Sequence, residues 1–286
     1  MSRLRNYLLA SISLLLCSCA KAPFSNGVVK QETRQVPGIF HVLEMNDDVD
    51  VSLVHQPNLS NDTTTKVALE VNENLLENII TKIHGDTLTI SNDNHLEWIR
   101  PYNSTIKATI YYDSITTIIY NSNGRLDSDI IHSDDGRIDL QVEGGSGDIN
   151  LHIDCERIHT NYEWGTATVK LHGNVTIAYT STSYNCHGPV DAQDLETNYH
   201  YIYSYGTNKV IAKAFTEIDG TNGNNGIICY VRYHTIRDEM IWGHYNEDNI
   251  WVPAQMIQVN HSCPKRIVYH GPGPEETTGL DSIVIQ

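Results

Sequence analysis

Apolar and polar residues alternate along much of the chain, and this period of two is typical of β-strands that bury one face. The alternation is clearest in GIFHVLEM, DVDVSLVHQ, TKVALEVN, IITKIHGDTLTISN and STIKATIYYDSITTIIYNS, which all lie between residues 36 and 120. Within the fourth segment, HGDTL marks a turn between two strands. Apolar residues at helical spacing are almost absent, so the pattern predicts an all-β chain.

Beyond residue 120 the alternation becomes a repeat. One position of the repeat is aliphatic and recurs at nearly constant intervals, in Ile149, Val169, Val190 and Val210. A second position is aromatic and recurs at the same intervals, in Trp164, Tyr184 and Tyr205. Such a period, with short strands and Gly or Asn at the corners, predicts a β-solenoid of about 20-residue coils. The aliphatic residues are expected to form an internal ladder and the aromatic residues a second ladder.

The change from simple alternation to a repeat also divides the chain into segments. We expect a single domain over residues 36–275, in which N-terminal strands occupy 36–120 and regular coils occupy 121–232. Residues 233–275 lose the repeat and contain several Trp and Pro residues, which is typical of a cap that covers the last open edge of a solenoid. A C-terminal tail, 276–286, follows.

The first residues have the features of a secretion signal, with Arg3 and Arg5 before an apolar run that ends at Leu16. The run, roughly ten residues, is shorter than the ~20 that a membrane-spanning helix needs. LCSC at residues 16–19 resembles a bacterial lipobox, and this resemblance implies cleavage before Cys19 and lipidation of Cys19. The alternative is ordinary cleavage near the same point and release as a soluble protein.

We therefore predict a lipoprotein signal peptide over residues 1–18 and a lipidated polar tether over residues 19–35. Ala20, rather than Asp, follows Cys19. By resemblance to known lipoprotein sorting, this favours the outer membrane over retention at the inner membrane. The sequence leaves open whether the exported domain faces the periplasm or the cell surface.

The chain is acidic, with a formal net charge of −16. Nucleic acids and anionic lipid surfaces attract clusters of Lys and Arg, so the charge argues against a nucleic acid as partner and against adsorption to an anionic membrane. The membrane contact that we expect is the N-terminal lipid anchor. The sequence carries no nucleotide-binding or metalloprotease motif, and no cofactor is predicted.

Six cysteines occur, and loss of the signal together with lipidation of Cys19 leaves Cys155, Cys186, Cys229 and Cys263. An even number in an oxidising compartment permits two disulfides, but a chain of this length buries a core without them. The spacing of Cys and His does not fit a zinc site. We expect several buried thiols, and any pairing is left open.

The order of these segments resembles a known family. GIFHVLEMNDDVDVSLVHQ, KVALEVNENLLENIITKIHGDTLTIS and STIKATIYY are followed by GGSGDINLHI and, late in the chain, by CPKRIVYHGPG. This arrangement is similar to the head GIN domain family of auto-transporter adhesin heads from exported bacterial proteins. The resemblance covers residues 36–275 and implies a right-handed parallel β-helix on an outer-membrane lipoprotein, with no established catalytic residues to carry over.

β-Helices also carry polysaccharide lyases and hydrolases, and the candidate acids for such a reaction are Asp127, Asp129, Asp134, Asp135, Asp139 and Asp148. Glycoside hydrolysis needs two carboxylates about 5–10 Å apart, a spacing that stacked coils supply. The alternative is that Asp next to Gly, as in DDGR and SGDI, makes turns through its side chain. We favour the turn interpretation and assign no catalytic residue.

His132, His152 and His172 are evenly spaced at the interval of the repeat. Coils in register would place them in one column of imidazoles, whose nitrogens are suited to a shared metal ion. The alternative is a solvated column, since a repeat also duplicates surface positions. We favour the solvated column and assign no metal.

The segment NYHYIYSYG contains Tyr199, Tyr201 and Tyr203 at alternate positions, which puts the three side chains on one face of a strand. An aromatic strip among Asn and Thr is suited to stacking on sugars or to contact with a protein. The alternative is an internal aromatic ladder, which we favour, although the strip is the best argument for binding over catalysis. The preferred function is a non-enzymatic envelope lipoprotein that binds a glycan or a protein along its solenoid. The alternative function is a polysaccharide-acting enzyme on the same scaffold.

Overall fold

The computed structural model describes residues 28–57, 63–94, 106–223 and 226–231, and the shorter segments 234–236, 239–241, 243–245, 251–253, 256–260, 265–270 and 284–285. β-Strands account for 74% of the structure and none of the described residues lies in an α-helix, which confirms the all-β prediction. Within these ranges no helix is long and apolar enough to cross a membrane. The predicted signal peptide, Cys19 and Cys263 lie outside the described residues.

The strands are numbered in chain order. The N-terminal strands are β1 (Val29–Pro37), β2 (Val42–Asp47), β3 (Val49–His55), β4 (Thr64–Asn72), β5 (Ile79–His84), β6 (Thr87–Asn92) and β7 (Ile106–Tyr112), with a short 3-10 helix at Leu76–Asn78. The strands of the coils are β8 (Thr117–Ser122), β9 (Leu126–Ile131), β10 (Arg137–Gly145), β11 (Asp148–Gly165), β12 (Thr168–Cys186), β13 (Val190–Ser204), β14 (Lys209–Lys213), β15 (Glu217–Asn222) and β16 (Ile227–Val231). The last strands are β17 (His234–Ile236), β18 (Glu239–Ile241), β19 (Gly243–Tyr245), β20 (Trp251–Pro253), β21 (Met256–Asn260), β22 (Lys265–His270) and β23 (Val284–Ile285).

The strands form a β-solenoid of about 5 turns with two principal sheets. The front sheet contains, in spatial order, β6, β2, β8, β10, the C-terminal parts of β11, β12 and β13, and finally β15. The back sheet contains, in spatial order, β4, β7, β3, β9, the N-terminal parts of β11, β12 and β13, and finally β14 and β16. Each of the three long strands therefore begins in the back sheet and continues into the front sheet.

The internal ladder predicted from the repeat is confirmed. Six buried residues stack in register along the back sheet, the four predicted ones with one more at each end: Leu126, Ile149, Val169, Val190, Val210 and Ile228. Neighbouring strands lie ~4.8 Å apart, so each aliphatic side chain is covered by its equivalent in the next coil. The inward residues of both sheets join in one hydrophobic core. The right-handed sense of the coil stays a prediction.

Buried tyrosines close the corners that lead from the front sheet to the back sheet. The Tyr120 hydroxyl donates to the Gly124 carbonyl at 2.6 Å, and the Tyr162 hydroxyl donates to the Ala167 carbonyl at 2.8 Å. Burial raises the pKa of both phenols, which therefore stay protonated donors. Each corner thus satisfies a backbone carbonyl that the turn would otherwise leave buried without a donor.

The predicted tether over residues 19–35 is wrong from Val29 onwards. β1 pairs antiparallel with β4 along its whole length, and β4 is in turn paired with β7. The strand shows no apolar alternation in the sequence, because Val36 is its one buried residue. Backbone hydrogen bonds to β4, rather than an apolar face, hold the strand in place, and such bonds leave no periodic signal in the sequence.

Arg34 of β1 also connects the two sheets at the N-terminal end. Its guanidinium donates to the carbonyls of Leu76 and Ile79 and to the hydroxyl of Thr81, at the start of β5. Glu32 pairs with the same guanidinium at 2.6 Å. One side chain therefore satisfies several backbone and hydroxyl acceptors between the ends of the front and back sheets.

At the C-terminal end, the parallel coils meet antiparallel strands. β22 pairs with β15 of the front sheet, β21 pairs with β16 of the back sheet, and β23 adds to β22. These pairings cover the last strand edges of both sheets, as expected for a cap. The exact boundaries drawn within residues 36–275 stay predictions.

Candidate ligand-binding face

Tyr199, Tyr201 and Tyr203 lie on the outer surface of β13, in the front sheet. The intervening residues His200 and Ile202 are buried, as the alternation of a strand requires. The internal aromatic ladder considered as the alternative is therefore wrong for these three tyrosines. Tyr203 is exposed over 45% of its surface, and Tyr199 and Tyr201 are partly buried against neighbouring coils.

A column of rings runs from Tyr201 along the solenoid. The ring of Tyr201 stacks on that of Tyr179 in β12, with 5.1 Å between centroids, and Tyr179 contacts His159 in β11 at 4.4 Å. The column exists because these residues are paired in register between parallel strands. Sequence analysis missed Tyr179 and His159, although their positions follow the interval of the repeat.

A shallow groove of about 310 Å³ lies beside this column. Its walls include the rings of His159, Tyr179 and Tyr203 and the polar side chains of Gln141 and Asn161. Flat apolar rings next to convergent polar groups are the usual composition of a site for a small organic ligand. The groove therefore combines a stacking surface with hydrogen-bonding groups that fix orientation.

Trp164 and Tyr184 extend the aromatic surface around the adjoining corner, where they are 59% and 64% exposed. The rings of Tyr184 and Tyr205 lie 5.6 Å apart, which confirms the predicted aromatic ladder for this pair. Trp164 departs from the ladder because an irregularity in β11 pairs it with Asn185. Its ring instead covers Gly144 of the preceding coil, where an added Cβ would lie 3.4 Å from the indole.

The strongly exposed Tyr and Trp side chains converge on this part of the surface. Among the residues whose burial is described, they are Trp164, Tyr184 and Tyr203. Tyr203 is two residues from Tyr205, the ring partner of Tyr184. We call the combined surface the aromatic face, which consists of Trp164, Tyr179, Tyr184, Tyr199, Tyr201 and Tyr203.

The aspartates considered as catalytic acids are distributed over both sheets and a turn. Three lie in back-sheet strands, two in the turn between β9 and β10, and one in the front sheet: Asp127, Asp129 and Asp148, then Asp134 and Asp135, then Asp139. Asp127 is paired with Arg125, and Asp139 is paired with Arg137 at 3.0 Å. The six acids are therefore not gathered in one groove.

The predicted column of three histidines is wrong for His132. His152 and His172 are paired in register, with ring centroids 4.7 Å apart. An irregularity in β9 places Ile130 opposite His152, and His132 instead stacks on His55 at 4.8 Å. Within the described residues no group of three or more His, Cys, Asp or Glu side chains is arranged to hold a metal ion.

A larger groove of about 480 Å³ lies on the back sheet near its N-terminal end. Its walls carry Glu70, Lys107, Arg125 and Asp127, and the described residues that line it include no aromatic ring. Lys107 is paired with Glu70 at 3.3 Å, and Arg125 is paired with Asp127. Because these cations are neutralised by neighbouring acids of the protein itself, the groove is less suited to a ligand than the aromatic face.

Three of the four remaining cysteines fall in the described residues, and all three are free thiols: Cys155, Cys186 and Cys229. Cys186 and Cys229 are buried, which confirms the expectation of buried thiols. Burial raises the pKa of Cys155 to about 11 and also raises the pKa of Cys186. Thiols with raised pKa are poor nucleophiles, which argues against a nucleophilic role for Cys155 and Cys186.

Comparison with protein families gives a match over most of the chain. The family described as "Putative auto-transporter adhesin, head GIN domain" matches residues 40–232. This chain belongs to the head GIN domain family. The resemblance noted in the sequence is thereby confirmed, and the family description indicates an exported, surface-associated protein.

Several solved structures resemble the chain as well. A "putative adhesin" from Bacteroides fragilis is 20% identical, covers 70% of this chain and 88% of its own, and has a TM-score of 0.60, which supports the solenoid fold. A protein of the same designation from Parabacteroides distasonis is 14% identical, with coverage of 72% and 90% and a TM-score of 0.47. A "Putative lipid binding protein" from that species is 15% identical, with coverage of 65% and 83% and a TM-score of 0.45. A comparison with curated proteins found no match.

Proposed function

We propose that this protein is a non-enzymatic, adhesin-type lipoprotein that binds a glycan through the aromatic face. The observation that carries the proposal is the ring column of His159, Tyr179 and Tyr201 beside the exposed Tyr203. Sugar rings have apolar faces that stack on aromatic rings and hydroxyls that bond to polar side chains. The groove beside the column supplies both kinds of contact.

The regular spacing of the coils favours an extended ligand. Equivalent residues recur at steps of ~4.8 Å along the solenoid, and the sheet holds them in fixed relative positions. A polymer of similar units meets similar contacts at each step of such a surface. A glycan chain has this property, so it is our preferred ligand over a folded protein.

The N-terminal sequence supports delivery to the cell envelope. We propose that residues 1–18 are removed as a signal peptide, that Cys19 is lipidated and that the lipid anchors the protein in the outer membrane. Because β1 begins at Val29, residues 20–28 are left as the link between the anchor and the solenoid. Fully extended, this link reaches at most ~30 Å, so the solenoid is held near the membrane.

A glycan-array screen of the purified full-length protein, with reducing-end assays on the same samples, tests the proposal. We expect binding to a defined set of oligosaccharides and no new reducing ends. New reducing ends would instead support the polysaccharide-acting enzyme, and would direct attention to the carboxylates of both grooves. If none of the glycans on the array binds, the proposed function is overturned.

Single substitutions locate the site. Tyr201→Ala and Tyr203→Ala each remove one ring of the aromatic face, and we expect each to weaken glycan binding about tenfold. Tyr111→Ala is the matched control, because Tyr111 lies on the outer surface of β7 in the back sheet, where Lys66 Nζ is 4.3 Å from the ring centroid. Equal loss of binding in Tyr111→Ala would contradict the location.

A further inference from the structure

Two arginines lie beside one end of the aromatic face. Arg137 of β10 and Arg157 of β11 are paired in register, in the same column as Ile177 and Tyr199. Like charges on directly paired strands are destabilising unless an opposite charge neutralises them. Arg137 has such a charge, because its Nε and Nη2 donate to Asp139 at 3.1 and 3.0 Å.

Arg157 lacks an equivalent partner. Its Nε is buried and has no hydrogen-bond partner among the described residues, and Nε2 of the adjacent His159 is in the same state. Asp139, the acid that follows Arg137 on the outer surface of β10, already accepts two hydrogen bonds from Arg137. A partly buried guanidinium beside a like charge gains strongly from an added anion, since charge-assisted bidentate pairs are the strongest hydrogen bonds in proteins.

The two arginines lie directly beside the ring column. Burial and the positive charges of Arg137 and Arg157 lower the pKa of His159, against the opposing effect of Asp139. At neutral pH the imidazole is therefore uncharged and adds an apolar ring surface next to Tyr179. A ligand that lies on the rings reaches the guanidinium of Arg157 within one or two coils.

The opposite end of the face is acidic. Glu217 and Asp219 of β15 are paired in register with Tyr199 and Tyr201. On the outer surface, the front-sheet parts of β10 and β11 carry Arg137 and Arg157 together with Asp139, Glu143 and Glu163, and β15 carries Glu217 and Asp219.

We propose that the aromatic face selects acidic glycans, in which a carboxylate or a sulfate ester pairs with Arg157 while neighbouring sugar rings lie on Tyr179, Tyr199 and Tyr201. This inference rests on the proposed function and adds the chemical class of its ligand. Arg137 contributes positive potential, and its pairing with Asp139 keeps it in place. The anionic group orients the glycan, because Glu217 and Asp219 repel it from the other end.

Three length-matched probes test the inference on the full-length protein by isothermal titration calorimetry: an oligogalacturonate with carboxylates, a sulfated dextran oligosaccharide and a neutral dextran oligosaccharide. We expect at least one acidic probe to bind about tenfold or more tightly than the neutral one. The preference is expected to shrink as NaCl is raised, because salt screens exposed charges. The two acidic probes distinguish carboxylate from sulfate as the recognised group.

Arg157→Gln is expected to abolish the preference for the acidic probe over the neutral probe. Arg157→Lys keeps the charge without the fork of donors, and we expect it to retain part of the preference. Arg125→Gln is the matched control, because it removes one exposed arginine on the back sheet. Circular dichroism checks that each variant is folded. If Arg157→Gln does not fold, the Arg157→Lys variant and the salt dependence of the unaltered protein still test the inference.

The outcomes separate the inference from the proposed function. Equal affinity for acidic and neutral probes would overturn the acidic preference and leave glycan binding in place. A preference that survives in Arg157→Gln would overturn the role of Arg157. Failure of all array glycans to bind would overturn the proposed function itself.

Discussion

The ring of Tyr201 stacks on the ring of Tyr179 on the outer surface of the front sheet, with 5.1 Å between their centroids. The pair exists because β12 and β13 are parallel and in register at these positions. The same two parallel strands also pair Val169 with Val190 inside the solenoid, on the other side of a one-residue register shift between Lys170 and His172. A row of external rings is therefore produced by the same parallel strand pairing that builds the core.

The Tyr179–Tyr201 pair is expected to contribute to stability as well as to binding. Because stacked aromatic pairs contribute about 0.5–1.5 kcal/mol beyond burial, the two side chains should be energetically coupled. A double-mutant cycle with Tyr179→Ala and Tyr201→Ala, followed by urea unfolding, should give a coupling free energy of about 0.5–1 kcal/mol. Effects that add to within about 0.3 kcal/mol would show that the rings do not interact.

The buried aliphatic residues of the core make a stronger contribution. Leu171 is buried and paired in register with Leu151. Leu171→Ala removes apolar contacts and leaves a cavity, so we expect the free energy of unfolding to fall by about 2–5 kcal/mol. Asn174→Ala, an exposed position in the same strand, is the control and should change it by less than about 0.5 kcal/mol. Similar losses in the two variants would contradict the assigned register.

Acid is expected to destabilise the fold through His200. This side chain is fully buried, its Nε2 lies 2.9 Å from Thr180 Oγ1, and burial lowers its pKa from 6.5 to about 4, opposed by the backbone of Lys213. The unfolded chain takes up a proton below pH ~6.5 that the folded state resists. Stability should therefore be lost as the pH falls from about 6.5 to 4, by up to ~3 kcal/mol.

Urea unfolding of the unaltered protein and of His200→Gln at several pH values checks this expectation. The difference in unfolding free energy between the two proteins should depend on pH in this window and be constant above pH 7. Carboxylates also titrate on the acid side, and taking the difference cancels their contribution. A difference that is independent of pH from 7 to 4 would show that His200 does not supply the acid sensitivity.

Arg34 is expected to stabilise the N-terminal end of the solenoid. Arg34→Ala leaves the carbonyls of Leu76 and Ile79 without their donor, so we expect a loss of about 1.5–3 kcal/mol in the free energy of unfolding. Hydrogen exchange should increase first in β1 and β5. Lys30→Ala is the control, because Lys30 in β1 forms an exposed ion pair with Glu73, and such pairs contribute little. A loss below about 0.5 kcal/mol for Arg34→Ala would contradict the connecting role.

Much of the fold could be predicted because its core repeats. The register is predicted directly by the repeat of Ile149, Val169, Val190 and Val210, since a solenoid stacks equivalent residues. His132 could not be placed in the same way. Its interval from His152 fits the repeat, but the irregularity in β9 shifts the pairing, and spacing alone does not reveal that shift.

The candidate site was only partly readable from the sequence. Alternation placed Tyr199, Tyr201 and Tyr203 on one face, but either side of a strand satisfies alternation. Their outward direction depends on His200 occupying an internal position, which a polar residue rarely does. The sequence does not single out Arg157, because its pairing with Arg137 joins two different coils and is visible only when the strands are in register.

Hydroxyl-radical footprinting, with and without the glycan that binds most tightly in the array, tests the central claim most directly. The aromatic face predicts that the bound glycan protects the exposed side chains of Trp164, Tyr184 and Tyr203 from oxidation. Tyr111, on the back sheet, should be oxidised equally in both samples. Protection of Tyr111, or unchanged oxidation of all three residues of the aromatic face at saturating glycan, would contradict the proposal.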